Sequence, residues 1–265
     1  MKLIALLTDF GYGDPYVAQM LGVMKSIAPD SEFIHITHNV PPQNIAVAHF
    51  LLRYSVDYFP DGTVFLVVVD PGVGSERLPI MIATERFYFV GPDNGLFSRI
   101  GEWASPVSSI RYLTNSKYYR TQKISHSFHG RDIFSPVAAW LSNGVPLDKL
   151  GPVMESTVSL TLPLLTETAD GLEASLIYID HFGNLMFNFS REEWTTRVGN
   201  RFFRIDCGEW QIDCLSENFQ QKTPLIAHFN SFQLLEIAVP NGNAARLFGL
   251  EIGDEFSISL HLLSD

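Results

Sequence analysis

The chain has 265 residues, with 18 Lys or Arg and 29 Asp or Glu, which gives a formal net charge of −11 at pH 7. Hydrophobic residues make up 46% of the sequence and charged residues 18%, a composition that excludes intrinsic disorder and supplies a substantial core. The acidic balance, without any run of Lys or Arg, argues against a nucleic-acid partner. The length predicts one large domain or two modest ones.

No segment is apolar for long enough to cross a membrane. The longest unbroken apolar run is the six residues 64–69, against roughly 18 for a transmembrane helix. The apolar start at residues 3–7 is interrupted by Thr8 and Asp9, which favours a buried strand over a signal peptide. Two cysteines make neither a disulfide framework nor a four-ligand zinc site. We therefore expect a cytoplasmic protein with no membrane partner.

The first half of the chain alternates between strand and helix patterns. Predicted elements are strands at residues 3–7, 33–36 and 64–69, helices at 17–27, 44–58 and 132–141, and a hairpin at 80–84 and 87–90. Pro29 and Pro60 end the first two helices. This β-α-β-α-β order predicts an α/β domain with a mainly parallel sheet and covering helices.

The second half has an all-β pattern. Strands are predicted at residues 172–180, 202–207, 225–229, 234–238 and 256–263, with a single helical turn at 243–248. We predict an N-terminal domain at residues 1–155, a linker rich in Thr, Leu and Pro at 156–170, and a smaller C-terminal domain at 171–265.

Polar and glycine-rich segments follow the predicted parallel strands, where open α/β sheets bind their ligands. Asp9 and Asp14 follow the first strand, and Asp70 opens a Gly-rich turn after the third, with Arg77 seven residues later. Asp9 either accepts ribose hydroxyls or caps the next helix or turn. Asp70 leaves a buried strand, so it needs a partner. Arg77 either forms a structural salt bridge with it or joins it in a reactive site.

Three histidines lie in similar segments. His129 is either a partly buried core residue or a catalyst beside Gly130, since glycine permits close approach of a ligand. His35 and His38, together with Asp9, are the candidate metal ligands. Positions three apart in a strand point to opposite faces, so we expect no metal site there. Neither GxGxxG, GxxxxGK[ST] nor GxSxG occurs, and no dinucleotide site or nucleophile elbow is predicted.

The second half offers polar turns. Asp180 and Asn184 provide an acceptor and an amide that suit the edge of a purine or a polar amino-acid group, or they form an ordinary Asx turn. Phe219 is either an aromatic platform for a base or a core residue. Further turns with polar side chains lie at residues 230–231 and 240–245.

Six motifs spread over nearly the whole chain carry a family resemblance. In order they are LLTDFGYGDPYV, VVVDPGVGSER, GPDNGLFS, FHGRDIF, IDHFGN and NSFQLLEIAVPNGNAA. Any single motif is weak, but six in order make chance agreement improbable. The sequence resembles the S-adenosyl-L-methionine (SAM) hydroxide adenosyltransferases, also called adenosine-forming SAM hydrolases, which are relatives of the SAM-dependent fluorinase and chlorinase.

The resemblance implies a fold, an assembly and a reaction. The fold is an N-terminal α/β domain followed by a smaller C-terminal β-barrel. The assembly is a homotrimer with its active site at the subunit interface. In the reaction, water or hydroxide attacks the ribose 5′ carbon of SAM and gives adenosine and L-methionine, without a metal or cofactor.

The resemblance also assigns residues to roles. Asp70, Arg77 and His129 are the implied catalytic residues. The implied substrate contacts are Asp9 for the ribose diol, Asp14 for the methionine ammonium, Asp180, Phe182 and Asn184 near the amino-acid and adenine ends, Phe219 for stacking on adenine, Ser231 for the methionine carboxylate, and Asn241 and Gly242 for the adenine edge.

Differences from the family pattern separate the alternatives. Halogenases have Tyr at the position of Asp70 and a Ser near Gly130, so both positions favour water as the nucleophile. The family has Gly and an aromatic residue after its Asn-Ser motif, whereas Gln233 and Leu234 stand here after Phe232. The alternatives are a non-catalytic SAM or adenosine-binding module, a halogenase and a metal-dependent hydrolase.

Overall fold

The computed structural model of the chain describes residues 2–220 and 223–263. The chain divides into two compact units, Met1–Leu160 and Thr161–Asp265. Across the described part, no helix is both long and apolar enough to cross a membrane.

The first unit is a six-stranded sheet with helices packed against it. In chain order it contains β1 (Leu3–Thr8), α1 (Tyr16–Ile27), β2 (Glu32–Thr37), α2 (Ile45–Arg53), β3 (Val64–Val68), β4 (Pro79–Thr84), β5 (Tyr88–Pro92), α3 (Ile100–Trp103), β6 (Val107–Tyr112) and α4 (Ser135–Ser142). The strand order is β2-β1-β3-β5-β4-β6. The first four strands of this order are parallel, and β4 runs antiparallel to both of its neighbours. The predicted mainly parallel sheet is confirmed.

The central strands bring two predicted site residues to one edge of this sheet. Every residue of β1 and β3 is buried, as the unbroken apolar runs predict. Thr8 pairs with Val68 in the parallel register. Asp9 and Asp70 therefore leave the sheet at the same edge, just beyond the carboxyl ends of neighbouring strands.

The second unit is an antiparallel, barrel-like sheet. In chain order it contains β7 (Thr166–Thr168), β8 (Gly171–Ile179), β9 (Leu185–Ser190), α5 (Arg191–Arg197), β10 (Phe203–Cys207), β11 (Trp210–Ile212), β12 (Ile226–Phe229), β13 (Leu234–Ala238), α6 (Ala244–Phe248) and β14 (Ser257–Leu262). The order is β11-β10-β14-β8-β9-β13-β12, and β7 pairs with β8. A separate hydrophobic core fills this unit. The predicted β-rich second half is confirmed, and β7 lies within the segment predicted as a linker.

Two helices of the first unit differ from their predicted form. The helix predicted at residues 44–58 ends at Arg53 and is followed by a separate 3₁₀ turn, Val56–Tyr58. Asn44 caps its start, because its side chain accepts a hydrogen bond from the backbone N–H of Val47 at 2.9 Å. The helix predicted at residues 132–141 begins earlier, as a π-helical turn, Gly130–Phe134, that continues into α4.

The prediction of a single helical turn in the second half was wrong. Besides α6, the unit contains α5, which begins with a capping box. The Ser190 side chain accepts from the backbone N–H of Glu193, and the Glu193 carboxylate accepts from the backbone N–H of Ser190. The S-x-x-E spacing carries this signal in the sequence. Strands β6, β7, β9 and β11 were also not predicted.

Candidate active site

Asp70 and Arg77 form a buried ion pair at the edge of the first sheet. Only 6% of the Asp70 side chain and 8% of the Arg77 side chain are exposed. Nε of Arg77 donates to one carboxylate oxygen of Asp70 at 2.8 Å, and Nη2 donates to the other. This bidentate interaction fixes the orientation of both groups, since the two parallel N–H bonds of a guanidinium match the two oxygens of a carboxylate. The predicted pairing is formed, as both interpretations of Asp70 require.

His129 joins this pair through Arg77. Nη2 of Arg77 lies 2.8 Å from Nδ1 of His129. A guanidinium nitrogen has only hydrogens to offer, so Nδ1 must accept. The proton of the neutral imidazole is therefore on Nε2, which makes His129 a hydrogen-bond donor on its far side. Burial lowers the pKa of His129, and the charge of Arg77 lowers it further.

One nitrogen of this cluster is left without a partner. Among the described residues, Nη1 of Arg77 is a buried side-chain atom that makes no hydrogen bond. Such a group costs free energy unless something binds it, and an oxygen atom or an anion is the natural acceptor for its N–H bonds. The Arg77 guanidinium also lies over the ring of Phe134, 5.2 Å from its centroid, which limits its movement.

Asp9 is close enough to Asp70 for the two negative charges to interact. Its carboxylate accepts a hydrogen bond at 2.8 Å from the backbone N–H of Gln43, in the loop after β2. The predicted alternative of a cap on α1 is not observed, because α1 begins without a side-chain cap. Burial raises the pKa of Asp9, and the negative charge of Asp70 raises it as well. Asp14 is exposed in the loop that precedes α1.

We predicted that His35 and His38 point to opposite faces, and this prediction was wrong, because their rings are in contact. Nδ1 of His35 lies 2.6 Å from Nε2 of His38, and Nδ1 of His38 lies 2.7 Å from Oγ1 of Thr8. The strand β2 ends at Thr37 and its register with β1 shifts there, so period-two alternation fails at this point. No group of three or more His, Cys, Asp or Glu side chains within the described ranges is arranged to hold a metal ion.

In the second unit, Asp180 and Asn184 form a closed turn. One oxygen of Asp180 accepts from the backbone N–H groups of Phe182, at 2.9 Å, and Asn184, at 2.8 Å. Its other oxygen accepts from the Asn184 amide at 3.0 Å. This is the Asx turn that the pattern offered as an alternative. The Phe182 ring is 70% exposed, whereas Asn184 is buried.

The turn that carries Asn241 and Gly242 lies beside the Asp180 turn. The backbone N–H of Ala245 donates to the carbonyl of Gly183 at 2.9 Å. Asn241 adopts a left-handed conformation with φ of 55°, and both Asn241 and Gly242 are exposed. The turn of Asp180 and Asn184 and the turn of Asn241 and Gly242 are thus neighbours in space.

Ser231 lies at the other end of β13. Asn230 closes its turn, because the Asn230 side-chain oxygen accepts from the backbone N–H groups of Phe232, at 2.9 Å, and Leu234, at 3.2 Å. Gln233, at the position where the resemblance implies glycine, adopts φ of 60°. The turn therefore forms with a non-glycine residue in the left-handed region, where glycine is favoured.

Comparison with known proteins gives two matched domains, one in each of the two compact units. Residues 4–151 match the SAM hydroxide adenosyltransferase N-terminal domain, and residues 174–257 match the C-terminal domain of the same family. The chain belongs to the SAM hydroxide adenosyltransferase family. Asp9, Asp14, Asp70, Arg77 and His129 lie in the N-terminal match, and the predicted contacts from Asp180 to Gly242 lie in the C-terminal match.

Similar proteins include hydrolases and more distant halogenating relatives. An (R)-S-adenosyl-L-methionine hydrolase of Salinispora tropica is 36% identical over 260 residues, which is 97% of each chain. A fluorinase of Actinopolyspora mzabensis is 26% identical over 72% of each chain. The crystal structure of an uncharacterised conserved protein from Thermotoga maritima, 36% identical, superposes with a TM-score of 0.87 over 96% of this chain and 99% of that one.

A buried polar cluster that the sequence analysis did not predict contacts Phe219 and includes Asn230, the residue before Ser231. Glu236 is buried and accepts from His228 at 2.9 Å and from the Asn230 amide at 3.0 Å. The Phe219 ring, 47% exposed, packs edge-on against His228 at 4.7 Å. The available signal was a glutamate in the apolar run of β13, because a charged residue within a buried strand needs partners.

Proposed function

We propose that this chain hydrolyses SAM to adenosine and L-methionine. The observation that carries the proposal is the buried guanidinium of Arg77, which is held by Asp70 and His129 and keeps Nη1 free for an oxygen atom. Family membership and the hydrolase names of relatives at 32–36% identity support the same reaction.

The chemistry needs a positioned oxygen nucleophile and little else. A new bond forms between that oxygen and the ribose 5′ carbon, while the bond from carbon to sulfur breaks and its electron pair stays on sulfur. The leaving group is a neutral thioether, so no acid has to protonate it. Holding the oxygen about 3 Å from the carbon, in line with the sulfur, accounts for much of the rate gain.

The cluster supplies complementary contacts for that oxygen. Nη1 of Arg77 and Nε2 of His129 are N–H donors that orient its lone pairs. The Asp70 carboxylate accepts its hydrogen and takes the proton when water is the nucleophile, whereas no proton moves when hydroxide attacks. Since Nδ1 of His129 already accepts from Arg77, His129 acts as a donor and not as the base.

The remaining assignments complete the substrate site. Asp9 accepts the ribose hydroxyls and Asp14 the methionine ammonium. In the second unit, Asp180, Phe182, Asn184, Phe219, Ser231, Asn241 and Gly242 contact the adenine and methionine ends. The support is the resemblance of these positions to the family motifs, together with the neighbouring turns at residues 180–184 and 241–245.

We also propose a homotrimer with the active site shared between subunits. The support is that the implied contacts are divided between the two units, with the residues for the reacting carbon on one and those for adenine on the other. A cytoplasmic location and a reaction free of metal and cofactor are proposed on sequence grounds.

The deciding experiment is chromatography of the products formed from SAM in metal-free buffer with EDTA, with and without chloride. We expect adenosine and L-methionine in both buffers. A chlorinated nucleoside would show a halogenase instead, and loss of activity with EDTA would show a metal enzyme. Intact SAM would overturn the hydrolase assignment and favour a binding module.

Asp70→Asn is the matched variant for this experiment. Because Asp70 acts mainly in the transition state, we expect turnover to be lost while SAM binding changes by no more than about 1–2 kcal/mol, measured by calorimetry. Hydrolysis at the wild-type rate in this variant would remove Asp70 from the mechanism.

A further inference from the structure

Asp132 is a fully buried carboxylate immediately after the His129 segment. Its side chain is 0% exposed. One oxygen accepts from Nε of Arg120 at 2.6 Å and from Nε of Arg131 at 2.7 Å, and the other accepts from Nη2 of Arg131 at 3.0 Å and from the backbone N–H of Ser125 at 2.9 Å. Burial opposes ionisation, but these hydrogen bonds outweigh it and lower the pKa of Asp132.

The partners of Asp132 lie on both sides of His129 in the chain. Arg120 and Ser125 belong to the segment before it, residues 120–128, here called the 120–128 loop. Asp132 itself belongs to the π-helical turn after it, Gly130–Phe134. Two backbone bonds run across the same junction, from Arg120 N–H to the Asp132 carbonyl at 3.0 Å and from Asp132 N–H to the Phe128 carbonyl at 3.2 Å.

The 120–128 loop also contacts the turn between Asp70 and Arg77. Gly74 in that turn has φ of 78°, and a Cβ atom built on it would overlap the carbonyl oxygen of His126. The loop that Asp132 fixes therefore packs directly against the turn that carries the ion pair, and only glycine permits this approach.

We propose that Asp132 is the positioning residue for His129. Its side-chain hydrogen bonds go to Arg120, Ser125 and Arg131 and not to His129. They tie the loop before His129 to the turn after it, which sets the imidazole where Nδ1 meets Arg77. The argument rests on the proposed function, since it assumes that His129 orients the nucleophile. π-Helical turns are frequent at functional sites, and a buried ion pair is by itself weak evidence for a stabilising role.

The test is a double-mutant cycle on the full-length protein, with Asp132→Asn, His129→Ala and the double variant. We expect Asp132→Asn to lower kcat by roughly 10- to 100-fold, because a small misplacement of a reacting group costs that much. KM for SAM should stay within about 3-fold, because the substrate contacts are unchanged. On the His129→Ala background, Asp132→Asn should have no further effect on kcat, because a residue that acts through His129 has nothing left to position.

Arg86→Met is the matched control. Arg86 also donates from Nε to an aspartate, Asp61, at 2.8 Å, but this pair is exposed and lies outside the His129 segment. We expect wild-type kcat and KM in this variant, which separates loss of positioning from loss of any Arg–Asp pair.

Each outcome decides one point. A kcat for Asp132→Asn equal to that of the wild type, a further loss of kcat in the double variant, or a wild-type kcat for His129→Ala would overturn the positioning role. If Asp132→Asn does not fold, Arg120→Met removes one arm of the cluster and is measured in the same cycle. Absence of SAM hydrolysis by the wild type would instead overturn the proposed function, and the positioning role with it.

Discussion

A single guanidinium organises the reactive cluster. Arg77 contacts both oxygens of Asp70, the Nδ1 atom of His129 and the ring of Phe134, and it still has Nη1 unpaired. Arginine has five N–H donors in a fixed plane, whereas lysine has three on a flexible stem. The cluster therefore depends on the shape of this side chain as well as on its charge.

We expect Arg77→Lys to lower kcat at least about 100-fold, because an ammonium cannot reproduce the fork to Asp70 while it orients the nucleophile. The affinity for SAM should change by less than about 3-fold, since the lost contacts act on the nucleophile. Steady-state kinetics and calorimetric titration measure the two quantities.

Arg86→Lys is the control for this exchange, because its ion pair with Asp61 is exposed. It should retain the wild-type kcat. An Arg77→Lys enzyme with more than half of the wild-type kcat would show that charge alone suffices and would contradict the role given to the guanidinium.

At the scale of elements, the ends of β1 and β2 interlock beside Asp9. Oγ1 of Thr8 accepts from the backbone N–H of Phe10 at 3.3 Å and lies 2.7 Å from Nδ1 of His38. Nε2 of His38 lies 2.6 Å from Nδ1 of His35. The backbone N–H of Gly11 donates to the His38 carbonyl at 2.7 Å. Burial favours the neutral form of His38 in this chain of contacts.

The stability of the protein should therefore depend on pH through His38. Burial, helped by the charge of His35, lowers its pKa from 6.5 to about 4. Between these values the unfolded chain takes up a proton that the folded protein does not, so the free energy of unfolding falls as the pH falls from about 6.5 to about 4. The shift corresponds to a loss of about 3 kcal/mol, complete below pH 4.

Urea unfolding at a series of pH values measures this dependence. His38→Gln should show a shallower decline over that interval, and His181→Gln, which replaces an exposed histidine, should decline like the wild type. Parallel curves for the wild type and His38→Gln would show that His38 does not contribute to the pH dependence.

Periodicity in the sequence predicted the strands and helices whose apolar pattern is regular along their whole length. The buried strands β1 and β3 and the helix α1 are unbroken apolar or 3.6-periodic runs, and their order led to the sheet. The helix start of residue 130 was missed because a π turn has another period. The contact of His35 with His38 was missed because it depends on where β2 ends.

The order of the family motifs predicted more of the candidate site than periodicity did. The pairing of Asp70 with Arg77 was predicted from their positions, but His129 lies 52 residues after Arg77, and only the family resemblance joined it to them before the structure showed the contact. Glu236, His228 and Asp132 were not predicted, although their partners are near in the chain. His228 lies opposite Glu236 in the pair of β12 and β13, a register that the apolar pattern alone does not fix. Asp132 is held by a preceding loop whose path no local pattern predicts. A charged residue within an apolar segment predicts a buried charge that needs partners, and this pattern marks Glu236 in the sequence.

For the whole molecule, the proposed sharing of the site between subunits has consequences for mass and for mixing. Light scattering after size-exclusion chromatography should give a mass near three times 29.8 kDa. An active monomer would refute the shared site.

Mixed subunits test the sharing directly. Asp70→Asn and Asn184→Ala are each expected to be inactive, or nearly so, as pure proteins. After denaturation and refolding together in equal amounts, about a quarter of the sites would combine two intact halves, so activity should return. No recovery in a refolded trimer would place each complete site within one chain.

The planar contacts of Arg77 limit which substitutions related sequences can tolerate at this position. Exchange of Arg for Lys is common at positions where charge alone matters, but here every partner uses the planar geometry of the guanidinium. We expect descendants of this sequence to keep the arginine itself. A newly sequenced relative with lysine at this position should therefore be treated as one that has abandoned the arrangement, however similar the rest of its chain.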